Sequence, residues 1–409
     1  MLGRLLDRPE LFRECAMQPA VMATYDRFDL AFEKGQGPYL FATNGRRYLD
    51  FGGGVAVTAL GHCHPHLVAA LRRQADLLWH CSNLYRIPEQ ERLAERLTSA
   101  TFADAVFFCN SGAEAVECGI KLVRRYHDLK GEPDRYRIIT CEGSFHGRTL
   151  ATIAAGASPK YREGYAPDLD GFDHVAFADL DAIVAAIGPQ TAAILVEPVQ
   201  GEGGIHPAPE GYLKGLREIA DRHRLLLFFD EIQCGMGRTG RLFAHEWDGV
   251  APDLMAVAKG LGGGFPIGAC LATAAVASAF SFGSHGSTFG GNPLGAAVAN
   301  AVLDLVGEDA FLSQVRRVSG ALQERLRSIA QRYPGVIAEV RGKGLMLGLK
   351  CIVPNRDLIA RLHDHGLLTI PAGDNVVRLL PPLIITLAEV DEAERILEAA
   401  CTDLAAKAA

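Results

Sequence analysis

Long apolar runs are missing from this chain: no stretch approaches the roughly eighteen uninterrupted apolar residues that a membrane span needs. No membrane partner is expected. An excess of positive charge is missing too. The 41 Lys and Arg are outnumbered by 48 Asp and Glu, for a formal charge of -7, and the basic residues lie scattered among acids. No basic face follows a phosphate backbone, so nucleic acid is not an expected partner. The ten cysteines include no CxxC pair. Several, such as Cys109 behind Phe107 and Phe108, stand in apolar runs where a thiol behaves as a small hydrophobe. That usage suits a reducing cytoplasm. Internal repeats and low-complexity tracts are absent as well. The opening stretch MLGRLLDRPELFRECAMQ lacks the apolar block of a signal peptide, and Asp7, Glu10 and Glu14 argue against a transit peptide; Met17 and Met22 are alternative starts. His62-Cys63-His64 lacks the ligand spacing of a metal centre and reads as a turn, so no metal is expected.

What is present is a chain of 409 residues, 49% of them hydrophobic, long enough for a large core and two or three structural units. From about residue 104 to 270, short apolar runs alternate with amphipathic stretches, the pattern of a mostly parallel sheet covered by helices. The runs are Ala105 to Cys109, Tyr136 to Cys141, Ala192 to Val196, Leu225 to Phe229 and Leu254 to Ala258. Each continues into polar residues: Asn110-Ser-Gly-Ala-Glu114, Glu142-Gly-Ser-Phe-His-Gly-Arg148, Glu197-Pro198, Asp230-Glu-Ile-Gln233 and Lys259-Gly-Leu-Gly262. Chemistry therefore collects at the carboxyl ends of strands, where open α/β sheets bind ligands. Residues 310 to 409 read as a separate small α+β unit, with helical periodicity in Phe311 to Tyr333, Asn355 to His365 and Leu387 to Leu404 and a strand-like Val336 to Leu349. Before residue 60, Tyr39 to Thr43 and Arg46 to Phe51 flank Asn44-Gly45, a strong hairpin signal.

Several residue types in these positions invite chemical readings beside plain ones. The small residues Ser111, Gly112 and Ala113 open a helix whose free amides suit a phosphate, or form an ordinary helix cap. Phe145 is either a face for a flat cofactor or a core residue, and Arg148 either a carboxylate clamp or a surface cation. Asp230 follows Leu225 to Phe229 to a poorly solvated strand mouth, where it pairs with a cationic ring nitrogen or caps a helix. Lys259 leaves an apolar strand in the same way. Desolvation there frees an amine for Schiff-base formation, against the plain reading of a solvated lysine. Two decoys fail on context. The glycines after Lys259 are not a P-loop, in which the lysine comes last, and Gly235-Met-Gly-Arg-Thr-Gly240 begins too far from its strand for a dinucleotide site.

Taken together, NSGAEA, SFHGRT, EPVQGEGG, DEIQCGMGRTG, AKGLGGGFPIGA and GSTFGGNPL resemble the class III, or ω-amino acid, aminotransferases of pyridoxal-phosphate fold type I, in order from about Tyr25 to Leu383. The resemblance implies an α/β fold: a large domain with a mostly parallel seven-stranded sheet plus a smaller α+β domain. In residues, 1–60 would contribute to the small domain, 61–300 form the large cofactor-binding domain, and 301–409 the C-terminal small domain. It also implies pyridoxal 5'-phosphate, with Lys259 as the Schiff-base lysine, Asp230 on the pyridine nitrogen and Gln233 on the ring hydroxyl. Phe145 and Ile232 would sandwich the ring, with Glu231 counted among the cofactor residues between them. Ser111, Gly112 and Ala113 would hold the phosphate together with Thr288 from the neighbouring subunit of a homodimer. Arg148 would take a substrate carboxylate and Arg378 the α-carboxylate of 2-oxoglutarate, with Glu202 neutralising Arg378 when an ω-amine is bound. Ser287 and Tyr25 would help hold the α-end of the donor. Phe51 to Pro65, and Ser82 to Tyr85 with Pro88 and Gln90, are most similar to the branch of the class acting on N2-acetylornithine in arginine biosynthesis. Val55 stands where ornithine-specific members usually carry tyrosine. Ornithine, succinyl-diaminopimelate and 4-aminobutyrate remain alternative donors, an aminomutase or decarboxylase a rival chemistry, and a catalytically dead binding protein a rival class.

Overall fold

A computed structural model describes residues 20–408; the readings of the opening segment that fall on residues 1–19, including Met17 and the acids before it, lie outside that range. The centre of the molecule is a seven-stranded sheet. Its strands run side by side in the order Ala105–Cys109, Gly268–Ala272, Leu254–Val257, Leu226–Asp230, Thr191–Val196, Arg137–Cys141 and Phe172–Val175. All are parallel except Gly268–Ala272, which is antiparallel to both neighbours. Because helices cover both faces, the central strands are buried throughout and mostly apolar: every residue of Thr191–Val196, Leu226–Asp230 and Leu254–Val257 is buried. The five strands expected from apolar runs are all present within one residue at each end. Phe172–Val175 and Gly268–Ala272 complete the sheet.

Helix Gly112–Leu129 lies across this sheet and fixes one wall of the site. Its close approach depends on Gly119, where an added Cβ would sit 2.3 Å from the Phe228 ring. Ser111 caps the helix, its hydroxyl accepting from the Glu114 amide, while the Glu114 carboxylate accepts from the Asn110 amide at 2.6 Å. That reciprocal cap starts the helix at the sheet's carboxyl edge.

A second sheet, Ile337–Lys343, Met346–Cys351, Val376–Leu379 and Ile370–Ala372, is antiparallel and backed by helices Asp309–Arg332, Asn355–His365 and Leu387–Ala408. The hairpin expected around Asn44-Gly45 forms between Tyr39–Ala42 and Arg47–Asp50, with Gly45 at φ 82°. Strand Arg47–Asp50 also pairs with Leu367–Leu368, and Leu49 and Phe51 sit in one apolar cluster with Leu347, Leu349 and Leu379. The N-terminal strands are thus packed with the C-terminal third of the chain. His62-Cys63-His64 is a turn: His62 Nε2 meets Asp50 Oδ2 at 2.8 Å, and His64 caps the following helix. Among the described residues no helix is long and apolar enough to cross a membrane.

Candidate active site

The carboxyl ends of five parallel strands open into one cavity of about 440 Å³, lined by Asn110, Phe145, Arg148, Glu197, Asp230 and Lys259 among others. Asp230 and Lys259 end or follow adjacent parallel strands, with Asp230 in register with Ala256. Lys259 takes φ 45°, a left-handed conformation rare outside glycine. Burial lowers its amine below the ordinary lysine value, against the opposing pull of Glu202. A neutral amine is the form that attacks a carbonyl carbon.

Asp230 is 3% exposed. One carboxylate oxygen accepts from the Ile232 amide at 3.1 Å, and the other meets His146 Nδ1 at 2.8 Å. Burial works to lower the His146 imidazole, but the Asp230 carboxylate outweighs it and raises it above its ordinary value. Glu197 lies beside the pair and accepts from the amides of Phe145 and Gly201. Burial pushes its carboxyl up to about 8. A buried carboxylate that stands behind a cavity suits a cationic ring nitrogen.

Opposite, the first amides of helix Gly112–Leu129 have no partner within the helix and carry its positive dipole end, which suits a phosphate. Gly112 packs so close to Ile232 that an added Cβ would sit 2.8 Å from Ile232 Cδ1. Phe145 and Ile232 both line the cavity between these charged ends. An anion site, a flat apolar slot, a carboxylate and a desolvated lysine in one cavity fit a phosphorylated pyridine aldehyde.

Arg378 is 2% exposed at the rim of this arrangement. Its Nη1 donates to Glu202 at 2.6 Å and to Gln233 Oε1 at 2.9 Å, and its Nη2 to the Pro371 carbonyl. Burial opposes the Glu202 charge, but Arg378 holds that carboxyl below the ordinary glutamate value. Arg148 lines the cavity from the other side and is exposed.

The structure brings together Ser111, Gly112, Ala113, Phe145, Arg148, Asp230, Ile232, Gln233 and Lys259, with Glu202 and Arg378 joined through Gln233. Glu231 requires a correction. It points away from the cavity, its carboxylate accepting from the amides of Ala244 and His245 and meeting the His245 ring at 2.8 Å. Side chains alternate across a strand, so the neighbour of an inward Asp230 faces the other way. Tyr25 is 76% exposed, and Thr288 is exposed outside this cavity. Ser287 is held at the cavity edge by Asn110, whose amide lies 3.2 Å from its hydroxyl. The motifs alone assign no role to Glu197, which directly follows strand Thr191–Val196, or to His146, in the loop after Arg137–Cys141. The buried Arg238 of the glycine-rich decoy donates to the Leu345 and Pro381 carbonyls and so ties two backbone segments together.

This fold and cavity are those of a pyridoxal-phosphate type aminotransferase scaffold, and the chain belongs to the class III aminotransferase family, whose model matches residues 20–401. It is 60% identical to the acetylornithine aminotransferase of Mesorhizobium japonicum over 94% of this chain and 97% of that one. Among solved structures it is similar to N-acetylornithine aminotransferase from Stenotrophomonas maltophilia (42% identity, TM-score 0.83, 94% of this chain and 98% of that one). It is also similar to ornithine aminotransferase from Toxoplasma gondii (32% identity, TM-score 0.92, 95% and 94%).

Proposed function

We propose that this enzyme transfers the ω-amino group of N2-acetyl-L-ornithine to 2-oxoglutarate, giving N-acetyl-L-glutamate 5-semialdehyde and L-glutamate in arginine biosynthesis. The observation that carries the reaction class is the meeting of Lys259 and Asp230, from adjacent strands, with the helix opening at Ser111 in one cavity. The donor is supported by the 60% identity to an acetylornithine aminotransferase along nearly the whole chain. The cofactor is pyridoxal 5'-phosphate, which when bound supplies an aldehyde for the amine and a ring that accepts the electron pair of the reacting carbon.

The residues divide the remaining work. Ser111, Gly112 and Ala113 hold the phosphate, with Thr288, exposed on the single chain, reaching in from the second subunit of a homodimer. Phe145 and Ile232 hold the ring faces, Asp230 keeps the ring nitrogen protonated, and Gln233 meets the ring hydroxyl. Lys259 anchors the cofactor and then moves the proton from the donor's ω-carbon, a task that its desolvated amine suits. Arg148 takes a substrate carboxylate, with Tyr25 and Ser287 near the donor's α-end. Arg378 is neutralised by Glu202 while the amine is bound and turns to the α-carboxylate of 2-oxoglutarate in the second half. Residues 61–300 form the cofactor-binding unit, and 301–409 with 1–60 the smaller unit that carries Arg378. A reducing cytoplasm suits its ten cysteines, and the nine among the described residues are all free.

The test is kcat/KM for N2-acetylornithine, ornithine and 4-aminobutyrate at fixed 2-oxoglutarate. The acetylated donor should lead by at least about tenfold. A lead for ornithine would keep the mechanism and reject the donor.

A further inference from the structure

We infer that Tyr161 is a specificity-determining positioning residue: its ring face fixes Arg148 in the pose that takes a substrate carboxylate. The inference rests on the role given to Arg148 above. Among the described residues the Arg148 guanidinium makes no hydrogen bond and pairs with no carboxylate, in contrast to Arg378. What holds it is aromatic. Its Cζ lies 3.9 Å from the centroid of the Tyr161 ring and 5.7 Å from that of Phe145. The two rings meet edge to face, 5.7 Å apart at 80°, so each braces the other.

This arrangement answers a physical problem. A cation at a cavity mouth that must grip a carboxylate needs a fixed orientation, yet any carboxylate or carbonyl used to fix it would occupy the donors that the ligand needs. A ring face holds the plane of a guanidinium through its π-electrons and leaves all five N–H groups directed outward. Tyr161 also lines a second cleft of about 850 Å³, bounded by His174, Glu202, Asn355 and Arg356, while Arg148 lines the first cavity. The stacked pair therefore forms part of the wall between the two. Lys160 stands 6.0 Å from the same ring centroid, farther than Arg148 and without a plane to stack. Among the described residues the Tyr161 hydroxyl makes no hydrogen bond, so the ring carries the function and the oxygen does not.

The experiment is a double-mutant cycle on the cofactor-loaded enzyme with Tyr161→Leu, Tyr161→Phe, Arg148→Ala and Tyr161→Leu/Arg148→Ala. It reads kcat and KM for N2-acetylornithine, and the calorimetric Kd of glutarate, a dicarboxylate that cannot react. Tyr161→Leu keeps bulk and loses the face. It should raise KM and the glutarate Kd about three- to fivefold with kcat within about twofold, and Tyr161→Phe should match the parent. The double variant should be no worse than Arg148→Ala alone, since Tyr161 acts only through that arginine. An additive loss in the double variant, a fall in kcat at unchanged KM, or a defect in Tyr161→Phe equal to that of Tyr161→Leu would overturn the inference. If Arg148→Ala itself leaves KM and Kd unchanged, the assignment of Arg148 fails instead. If Arg148→Ala weakens binding and Tyr161→Leu does not, the Tyr161 inference alone fails.

Discussion

Two arginines flank one cavity, and they are held in opposite ways. Arg378 is buried and already paired, with Glu202 at 2.6 Å, Gln233 at 2.9 Å and the Pro371 carbonyl at 3.3 Å. Arg148 is exposed and is held by two aromatic faces. The difference follows from solvation. A buried guanidinium without acceptors costs several kcal/mol, so Arg378 must carry a partner that a substrate carboxylate can replace. Water solvates Arg148 until the ligand arrives, so it needs orientation and no counter-ion. On the proposed division of roles, one cavity accepts two substrates in turn, with the carboxylate of Glu202 standing in for the one that the amine donor lacks at that end.

The largest expected effect falls on the lysine that both half-reactions share. Lys259→Ala should lower turnover by about 10²- to 10⁴-fold or more with either substrate, measured as glutamate release; near-parental rates would show that another base works there.

Next comes Arg378→Gln, where the two arginines should part company. Loss of one member of a buried charged pair should cost about 2–5 kcal/mol in the 2-oxoglutarate half-reaction and lower thermal stability, while the donor half-reaction stays within about tenfold. Equal losses in both halves would contradict the division of labour. Arg148→Ala should weaken carboxylate binding in both halves by about tenfold, yet shift stability by no more than about 0.5 kcal/mol, since its guanidinium is exposed. A clear drop in melting temperature would place Arg148 in the fold's support and remove the contrast.

A smaller effect concerns the acids behind the ring site. The folded protein holds a proton on Glu197 up to about pH 8, whereas the unfolded chain releases it near 4.5. The folded state thus binds more protons across that window, and stability should fall as pH rises from about 4.5 to about 8, then level off. His146 adds to the same trend: its raised value gives stability present below its unfolded pKa and lost as pH rises through the folded one. Melting curves of Glu197→Gln should show a shallower decline across this range. A slope equal to the parent's would mean that Glu197 is ionised in the folded state.

Much of the large sheet was legible because buried parallel strands are continuous apolar runs, and five of them ended in polar residues that line the cavity. Phe172–Val175 escaped because Asp173 and His174 break its apolar character, and Gly268–Ala272 because Gly-Ala-Cys-Leu-Ala is as compatible with a helix or loop as with a strand. The outward turn of Glu231 was available in principle from the alternation that puts Asp230 inward. Tyr161 was not legible at all. It sits on a short turn of helix, Pro159–Arg162, well beyond Arg148 in sequence, and only the chain's return over the cavity stacks the two.

The central claim is that one cavity serves an amine and a 2-oxo acid alternately, and half-reaction absorbance tests it most directly. N2-acetylornithine alone, added to the yellow holoenzyme, should bleach the cofactor's visible absorbance, and 2-oxoglutarate added after removal of the donor should restore it. Bleaching that requires both compounds together, or a spectrum that the amine leaves unchanged, would contradict the account.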